Sequence, residues 1–334
     1  AEVLLIAPDA SDHTHYDTPA KVVRLGPRWS IPANGSRAPL TLSPLAALRA
    51  KDAVTFYRPD IVHVHEPFAP LIAWSTLLAH EYPTLATFHR SGDGPALRYT
   101  RPLLEYLAAR LDGAVAVSET SAATIERAAG VSCDVLFNGF ETERFVETPR
   151  ERSVEMVLFF VGRLEERKGV ATAIEATREH NATGAKPWRL VIAGDGPERA
   201  RLEALAAHDP RVVFLGRVSD QEKRSWMRRV HVLIAPSTHG ESFGLVLLEA
   251  MASETLVVAS DIEGYRDAAD GHATLFRPGD AASLEEAVLA ALAGETDEKI
   301  EAARVYAERW SMARLMDEYE TRYELARLHF GATK

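Results

Sequence analysis

Residues 156–183 read MVLFFVGRLEERKGVATAIEATREHNAT, and this stretch decides the fold. Six apolar residues, 156–161, make a run of buried-strand length with no alternation, as in a parallel sheet covered on both faces. Gly162 ends the run, a short charged loop follows, and residues 169–183 carry helical spacing. The same strand–loop–helix rhythm continues downstream. Strands are expected at residues 188–193, 212–215, 232–235, 255–259 and 274–276. Helices are expected at 197–208, 220–229, 244–253 and 283–293, with one or two closing helices over 297–330. Upstream, strands are read at 3–7, 22–25, 61–64, 84–88, 114–117 and 134–136, with helices at 45–57, 70–80, 101–111 and 118–129. Alternation of this kind is the pattern of βαβ units.

A polar stretch at 145–155, with Pro149 and several charges, breaks the rhythm and reads as a linker. The chain is therefore expected to be α/β, with two Rossmann-like domains in series: residues 1–147, residues 148–303 and a terminal helical segment 304–334. The length of 334 residues agrees with two domains. The first strand opens without a methionine, so a strand, loop and helix of about 30 residues is expected to be missing from the first domain. Residues 11–18 and 91–97 lack any periodic pattern, and segments are expected to be lost there too.

Composition narrows the function. With 46% apolar and 26% charged residues the chain can bury a core, and a net charge of −10 opposes binding of nucleic acid through a broad basic surface. Cys133 is the only cysteine, which excludes an intramolecular disulfide and a cysteine metal cluster. No run reaches the length of a membrane span and no signal peptide opens the chain, so a cytoplasmic protein is expected.

In open parallel sheets ligands sit beyond the carboxyl ends of strands, which directs attention to the loops there. His239-Gly240-Glu241-Ser242-Phe243-Gly244 leads into Leu245-Val246-Leu247-Leu248-Glu249. A glycine-bearing loop opening a helix can hold an anion such as a diphosphate on its N–H groups. Glu249 sits in a helix apolar on nearly every side, so its carboxylate requires a dedicated partner. Ribose hydroxyls would serve, and the alternative is a partner within the domain. Gly162-Arg163 through Lys168-Gly169 places two cations after a strand, where they can neutralise a departing diphosphate. Ordinary surface cations are the competing reading. The chain has no Asp-x-Asp pair, so Arg163 and Lys168 stand in for a metal and a metal-independent reaction is expected. Gly194-Asp195-Gly196 lacks the third glycine of a dinucleotide fingerprint, Arg199 occupying that position, and reads as a tight turn. In the first half His89 follows a strand and points to the expected cleft. His63 and His65 share one face of their strand; His63 is read as structural, and His65 with Glu66 as rim residues.

Together these segments resemble the retaining family-4 glycosyltransferases of the GT-B fold, in which two Rossmann-like domains with parallel sheets face each other across a cleft. The motifs are Asp60-Ile61-Val62-His63-Val64-His65-Glu66-Pro67, Ala86-Thr87-Phe88-His89, Phe137-Asn138-Gly139-Phe140, Gly162-Arg163 with Arg167-Lys168-Gly169, and the Glu241–Glu249 pair, which matches that family's Glu-x7-Glu signature. The resemblance implies that Arg163 and Lys168 hold the donor diphosphate, Glu249 the ribose and Glu241 the transferred sugar, with His89 near the anomeric carbon. Gly162, Ser242, Phe243, Gly244 and Leu245 would line the donor site, and Val218, Asp220 and Lys223 would lie at the base. The last helix, over residues 310–323, would cross back to the first domain. Within the family the chain is most similar to actinobacterial phosphatidylinositol mannosyltransferases. Ile31-Pro32-Ala33-Asn34-Gly35-Ser36 is similar to their acceptor-side loop, with Asn34 on the acceptor. That implies GDP-mannose as donor, an inositol head group as acceptor, no cofactor and no metal. Residues 45–57 carry only Arg49 and Lys51 as cations, so peripheral contact at the inner face of the cell membrane is the most that is expected. Alternatives of the same fold are a transferase using a UDP-sugar with a soluble acceptor, and a nucleotide-sugar epimerase.

Overall fold

The apolar runs pair as strands in the computed structural model, which describes residues 2–8, 20–26, 29–33, 36–41, 43–89, 95–147, 149, 151–241, 243–294 and 296–333. The chain forms two units, residues 1–137 with 316–334 and residues 138–315.

The first unit contains β1 (Leu4–Ala7), β2 (Lys21–Arg24), β3 (Trp29–Ala33), β4 (Ser36–Leu40), α1 (Pro44–Tyr57), β5 (Val62–His65), α2 (Ile72–Ala79), β6 (Thr84–Phe88), α3 (Pro95–Ala108), β7 (Gly113–Ala116), α4 (Glu119–Ala129) and β8 (Asp134–Val135). Strands β5-β6-β7-β8 form a parallel sheet in that order, and β1 pairs with β2 in parallel. The fully buried β6 lies inside its sheet. Ser118 caps α4, its hydroxyl accepting the Ser121 N–H at 3.2 Å, as the sequence predicts. The segment read as an acceptor-side loop is instead an antiparallel hairpin of β3 and β4. Pro32 and Pro39 are unusual within strands, whereas the intervening Asn34-Gly35 is a hairpin signal in the sequence. Asn34 itself lies outside the described residues.

Near the start of the second unit the rings of Phe140 and Phe145 meet edge-on at 5.6 Å in its core, so Phe145, expected to open the linker, is packed here. Phe145 belongs to the single-turn α5 (Glu143–Val146). Then come β9 (Met156–Val161), α6 (Val170–Ala182), β10 (Trp188–Ala193), α7 (Arg199–Leu205), β11 (Val212–Gly216), α8 (Asp220–Arg229), β12 (Val232–Ala235), α9 (Leu245–Ala252), β13 (Leu256–Ser260), α10 (Glu263–Ala269), β14 (Thr274–Phe276), α11 (Ala281–Ala293), α12 (Asp297–Glu308) and α13 (Met312–Thr333). The sheet order is β11-β10-β9-β12-β13-β14, all parallel. Alternate residues of β9 feed two cores: Val157 and Phe159 pack on one face, Leu158 and Phe160 on the other. That two-sided burial explains why these strands read as continuous apolar runs. Strand order reverses between β9 and β12, which places their carboxyl ends at a switch point where ligands bind in such sheets.

From residue 316, α13 belongs to the first unit, where the Tyr319 hydroxyl bonds Thr87 Oγ1 at 3.0 Å. Among the described residues no helix is long and apolar enough to cross a membrane.

Candidate functional site

The chain leaves β9 at Gly162, whose N–H donates to the Ala193 carbonyl at 3.0 Å. Leu164 is fully buried and anchors the loop, and a 3₁₀ turn over Glu166–Lys168 then presents Arg167 and Lys168 side by side. Across the switch point, the chain leaving β12 carries Ser237, Thr238 and Glu241. The Thr238 N–H donates to the Arg167 carbonyl at 2.8 Å, tying the two loops together.

Glu241 is the hub. Its Oε1 accepts from Lys168 Nζ at 2.5 Å, from Arg167 Nη1 at 2.9 Å and from Ser237 Oγ at 3.2 Å. Arg167 Nη1 also donates to the Gly240 carbonyl at 3.1 Å, and its Nε to Glu165 Oε2 at 3.0 Å. Glu165 Oε1 lies 3.2 Å from Arg163 Nε. Arg163 is the outlying member, its side chain 58% exposed against 18% for Lys168. Three cations thus meet two carboxylates, leaving the cluster electropositive. The sequence pairs Arg163 with Lys168; the structure adds Arg167 and Glu165, which stand in the same loop. It also adds Ser237 and, behind it, Tyr265, whose hydroxyl meets Ser237 Oγ at 2.9 Å. Burial, followed by the negative charge of Glu241, raises the Tyr265 pKa, which keeps the phenol protonated.

Gly244 begins α9 with φ +70°, and a Cβ there would lie 2.7 Å from Tyr265 Cδ1. Glycine is needed for both the backbone angle and the close ring. No side chain among the described residues caps α9, so its first N–H groups, at Leu245 and Val246, point out of the helix start, where such groups can hold an anion. Phe243 packs its ring against Trp310 at 4.8 Å, and Ser242 lies outside the described residues.

One turn further along, Glu249 is nearly buried and its Oε1 accepts from Lys223 Nζ at 2.8 Å. The dedicated partner required by the sequence is therefore an α8 lysine of the same unit. Burial outweighs this contact and raises the Glu249 pKa. The loop before α8 is fixed by a capping box: Ser219 Oγ accepts the Glu222 N–H, and Glu222 Oε2 accepts the Ser219 N–H at 2.7 Å. The bond from the Ser219 N–H is the leading cause of a lowered Glu222 pKa. Val218 packs partly buried against the core, while Asp220 Oδ1 lies 3.9 Å from Lys223 Nζ.

In the first unit His89 is exposed at the end of β6, and its Nε2 meets His65 Nδ1 at 2.9 Å. His63 stacks on His65 with centroids 4.4 Å apart, and its ring nitrogens reach Tyr323 and Thr87 hydroxyls at 2.9 Å and 2.7 Å. With both nitrogens occupied, His63 is structural. Burial, with the neighbouring His65 and His89, pushes its pKa down to about 3 from an ordinary 6.5. Between those values the unfolded chain holds the additional proton, so stability falls as pH drops below about 6.5, by up to about 1.4 kcal/mol per unit. Urea unfolding of His63→Gln at pH 7 and pH 5 is expected to show a shallower loss than the parent. Equal losses would refute this assignment.

Comparison with known proteins matches residues 1–144 to a family described as Glycosyltransferase Family 4 and residues 155–294 to one described as Glycosyl transferases group 1. A phosphatidyl-myo-inositol mannosyltransferase of Propionibacterium freudenreichii is 32% identical, over 100% of this chain and 89% of its own. One of Mycolicibacterium smegmatis is 34% identical, over 96% and 85%. Among solved structures, a glycosyltransferase from Rickettsia africae superposes with a TM-score of 0.75 at 18% identity, covering 97% of this chain and 90% of that one, a likeness of fold.

Proposed function

Since this chain belongs to the family 4 and group 1 glycosyltransferases and has the GT-B fold, we propose that it is a retaining, metal-independent mannosyltransferase moving mannose from GDP-mannose to a phosphatidylinositol acceptor. The sugar and acceptor rest on the 32% and 34% identity to relatives that bear that name. The observation carrying the donor chemistry is the cation cluster of Lys168 and Arg167 on Glu241, beside the glycine start of α9.

In this reading the diphosphate takes the place of Glu241 on Lys168 and Arg167, with Arg163 closing from the solvent side. The α9 N–H groups receive a phosphate oxygen. Released from the cations, Glu241 accepts hydroxyls of the transferred sugar. Glu249 accepts ribose hydroxyls while one of its oxygens stays on Lys223, because a carboxylate has capacity for about four bonds. As the bond from the anomeric carbon to the phosphate oxygen breaks, its electron pair goes to the phosphate. The protein cations stabilise the negative charge there. The acceptor hydroxyl attacks the same face, and its proton passes to the departing phosphate. Retention follows from that geometry. A lipid acceptor implies peripheral contact with the inner membrane face.

The test is calorimetric titration with GDP, UDP and ADP, first without metal and then with magnesium, joined to transfer of labelled mannose into phosphatidylinositol micelles. GDP is expected to bind at least about tenfold more tightly than UDP, a difference of about 1.4 kcal/mol, and EDTA is expected to leave transfer unchanged. A preference for UDP would refute the mannose donor, and loss of activity in EDTA would refute metal independence.

A further inference from the structure

The two residues before Pro67, His65 and Glu66, make separate contacts with His89. His65 ends β5 and offers its ring Nδ1 to His89 Nε2 at 2.9 Å. Glu66 follows and its Oε1 accepts the backbone N–H of His89 at 2.7 Å. We propose that His65 and Glu66 are positioning residues that clamp His89 by ring and by backbone, so that a single ring orientation and tautomer meets the substrate. The proposal rests on the reading of His89 as a group at the reacting centre.

Three features carry it. First, two nitrogens this close hold one proton between them: one ring donates and the other offers its lone pair. The shared edge commits His89 Nε2, so a substrate contact falls to Nδ1. Second, both residues are exposed overall, and a neutral hydrogen bond between them adds only about 1 kcal/mol to stability. Their order is therefore not explained by folding alone. The His65 ring is itself braced, stacked on His63, which Tyr323 and Thr87 hold in place. Third, Glu66 has φ +53°, a left-handed conformation that L side chains rarely adopt. It is enforced by the Glu66 N–H on the Thr87 carbonyl at 2.9 Å and by the Ala69 N–H on the Glu66 carbonyl at 2.8 Å. Strain held by its surroundings is a feature of functional sites, and here it turns the Glu66 carboxylate back onto His89.

The test compares His65→Phe, which keeps a ring to stack on His63 but has no polar edge, with His65→Asn, whose amide can replace Nδ1. Ring ¹⁵N spectra of His89, assigned by the signal that disappears in His89→Ala, are read alongside transfer kinetics with GDP-mannose. In the parent protein His89 is expected to show one tautomer, and in His65→Phe a mixture. The kcat of His65→Phe is expected to fall about 10- to 100-fold with KM for the donor within about twofold, and His65→Asn to recover most of the loss. A parent-like tautomer pattern in His65→Phe overturns the clamp. A changed pattern with parent-like kcat in both His65→Phe and His89→Ala leaves the clamp in place and overturns the placing of His89 at the reacting centre.

Discussion

Lys168→Ala is expected to lower kcat/KM for sugar transfer by about three orders of magnitude, about 4 kcal/mol of transition-state stabilisation. The Lys168 ammonium is mostly withdrawn from solvent and sits 2.5 Å from Glu241 Oε1. It is therefore a charge fixed in place before donor arrives, with little reorganisation left to do during reaction. Negative charge on the departing diphosphate grows as the bond to the sugar breaks, so the loss should fall mainly on kcat. GDP, which carries the same diphosphate, should also bind more weakly. The substitution should be tolerated by the fold, because the 3₁₀ turn is held by backbone bonds, Lys168 N–H to Glu165 and Gly169 N–H to Glu166, both at 3.0 Å. Glu241 keeps Arg167 and Ser237, so it is not stranded as an unpaired buried charge. Lys168→Arg should recover only part of the rate, since a planar fork cannot occupy the position of a compact ammonium. Steady-state kinetics with GDP titration decide the matter. A loss below about tenfold would remove Lys168 from the transition state.

Gly194→Ala is expected to destabilise the second unit by more than about 4 kcal/mol. A Cβ at Gly194 would stand 1.8 Å from the Gly162 carbonyl oxygen and 2.9 Å from its carbon, and the residue has φ +138°. Neither neighbour can yield easily. Gly162 is bonded to the Ala193 carbonyl, and the Gly194 N–H donates to the Gly216 carbonyl at 2.7 Å. The clash therefore falls between the carboxyl ends of β9, β10 and β11, beneath the loop that carries Arg163 and Lys168. Gly184→Ala is the control, since Gly184 also has a positive φ, +80°, but has open space around the added carbon. It should cost about 1 kcal/mol. For a unit of this size 1 kcal/mol moves Tm by about 2–4 °C. Gly194→Ala should then melt roughly 10 °C or more below the parent, and Gly184→Ala a few degrees below. Equal melting of the two variants would refute the steric argument. The tight turn read at Gly194-Asp195-Gly196 is thus a contact between backbones, with no dinucleotide loop implied.

What the sequence determined by itself is whatever depends on near neighbours in the chain. Strands β9 and β12 and helix α8 have the ends read from their residues, because burial on both faces writes an uninterrupted apolar run and a capped helix writes its own start. Hidden elements lacked such a local signal. Prolines masked the β3–β4 hairpin, and α10, Glu263–Ala269, is only seven residues long, three of them charged, and buries Tyr265, Ala268 and Ala269. The same division runs through the site. The loop with Arg163 and Lys168, and the pair Glu241 and Glu249, stood in the sequence as charges placed where a strand ends or a helix begins. Which charges meet was decided only by the tertiary structure. Lys168 reaches Glu241 across 73 positions because β9 and β12 lie side by side in the sheet, with β10 and β11 displaced to the other side of β9. Lys223 finds Glu249 across 26 positions, and His65 finds His89 across 24, through neighbouring elements in the same way. Spacing along a chain encodes which side of an element a residue occupies, but strand order determines what stands opposite it.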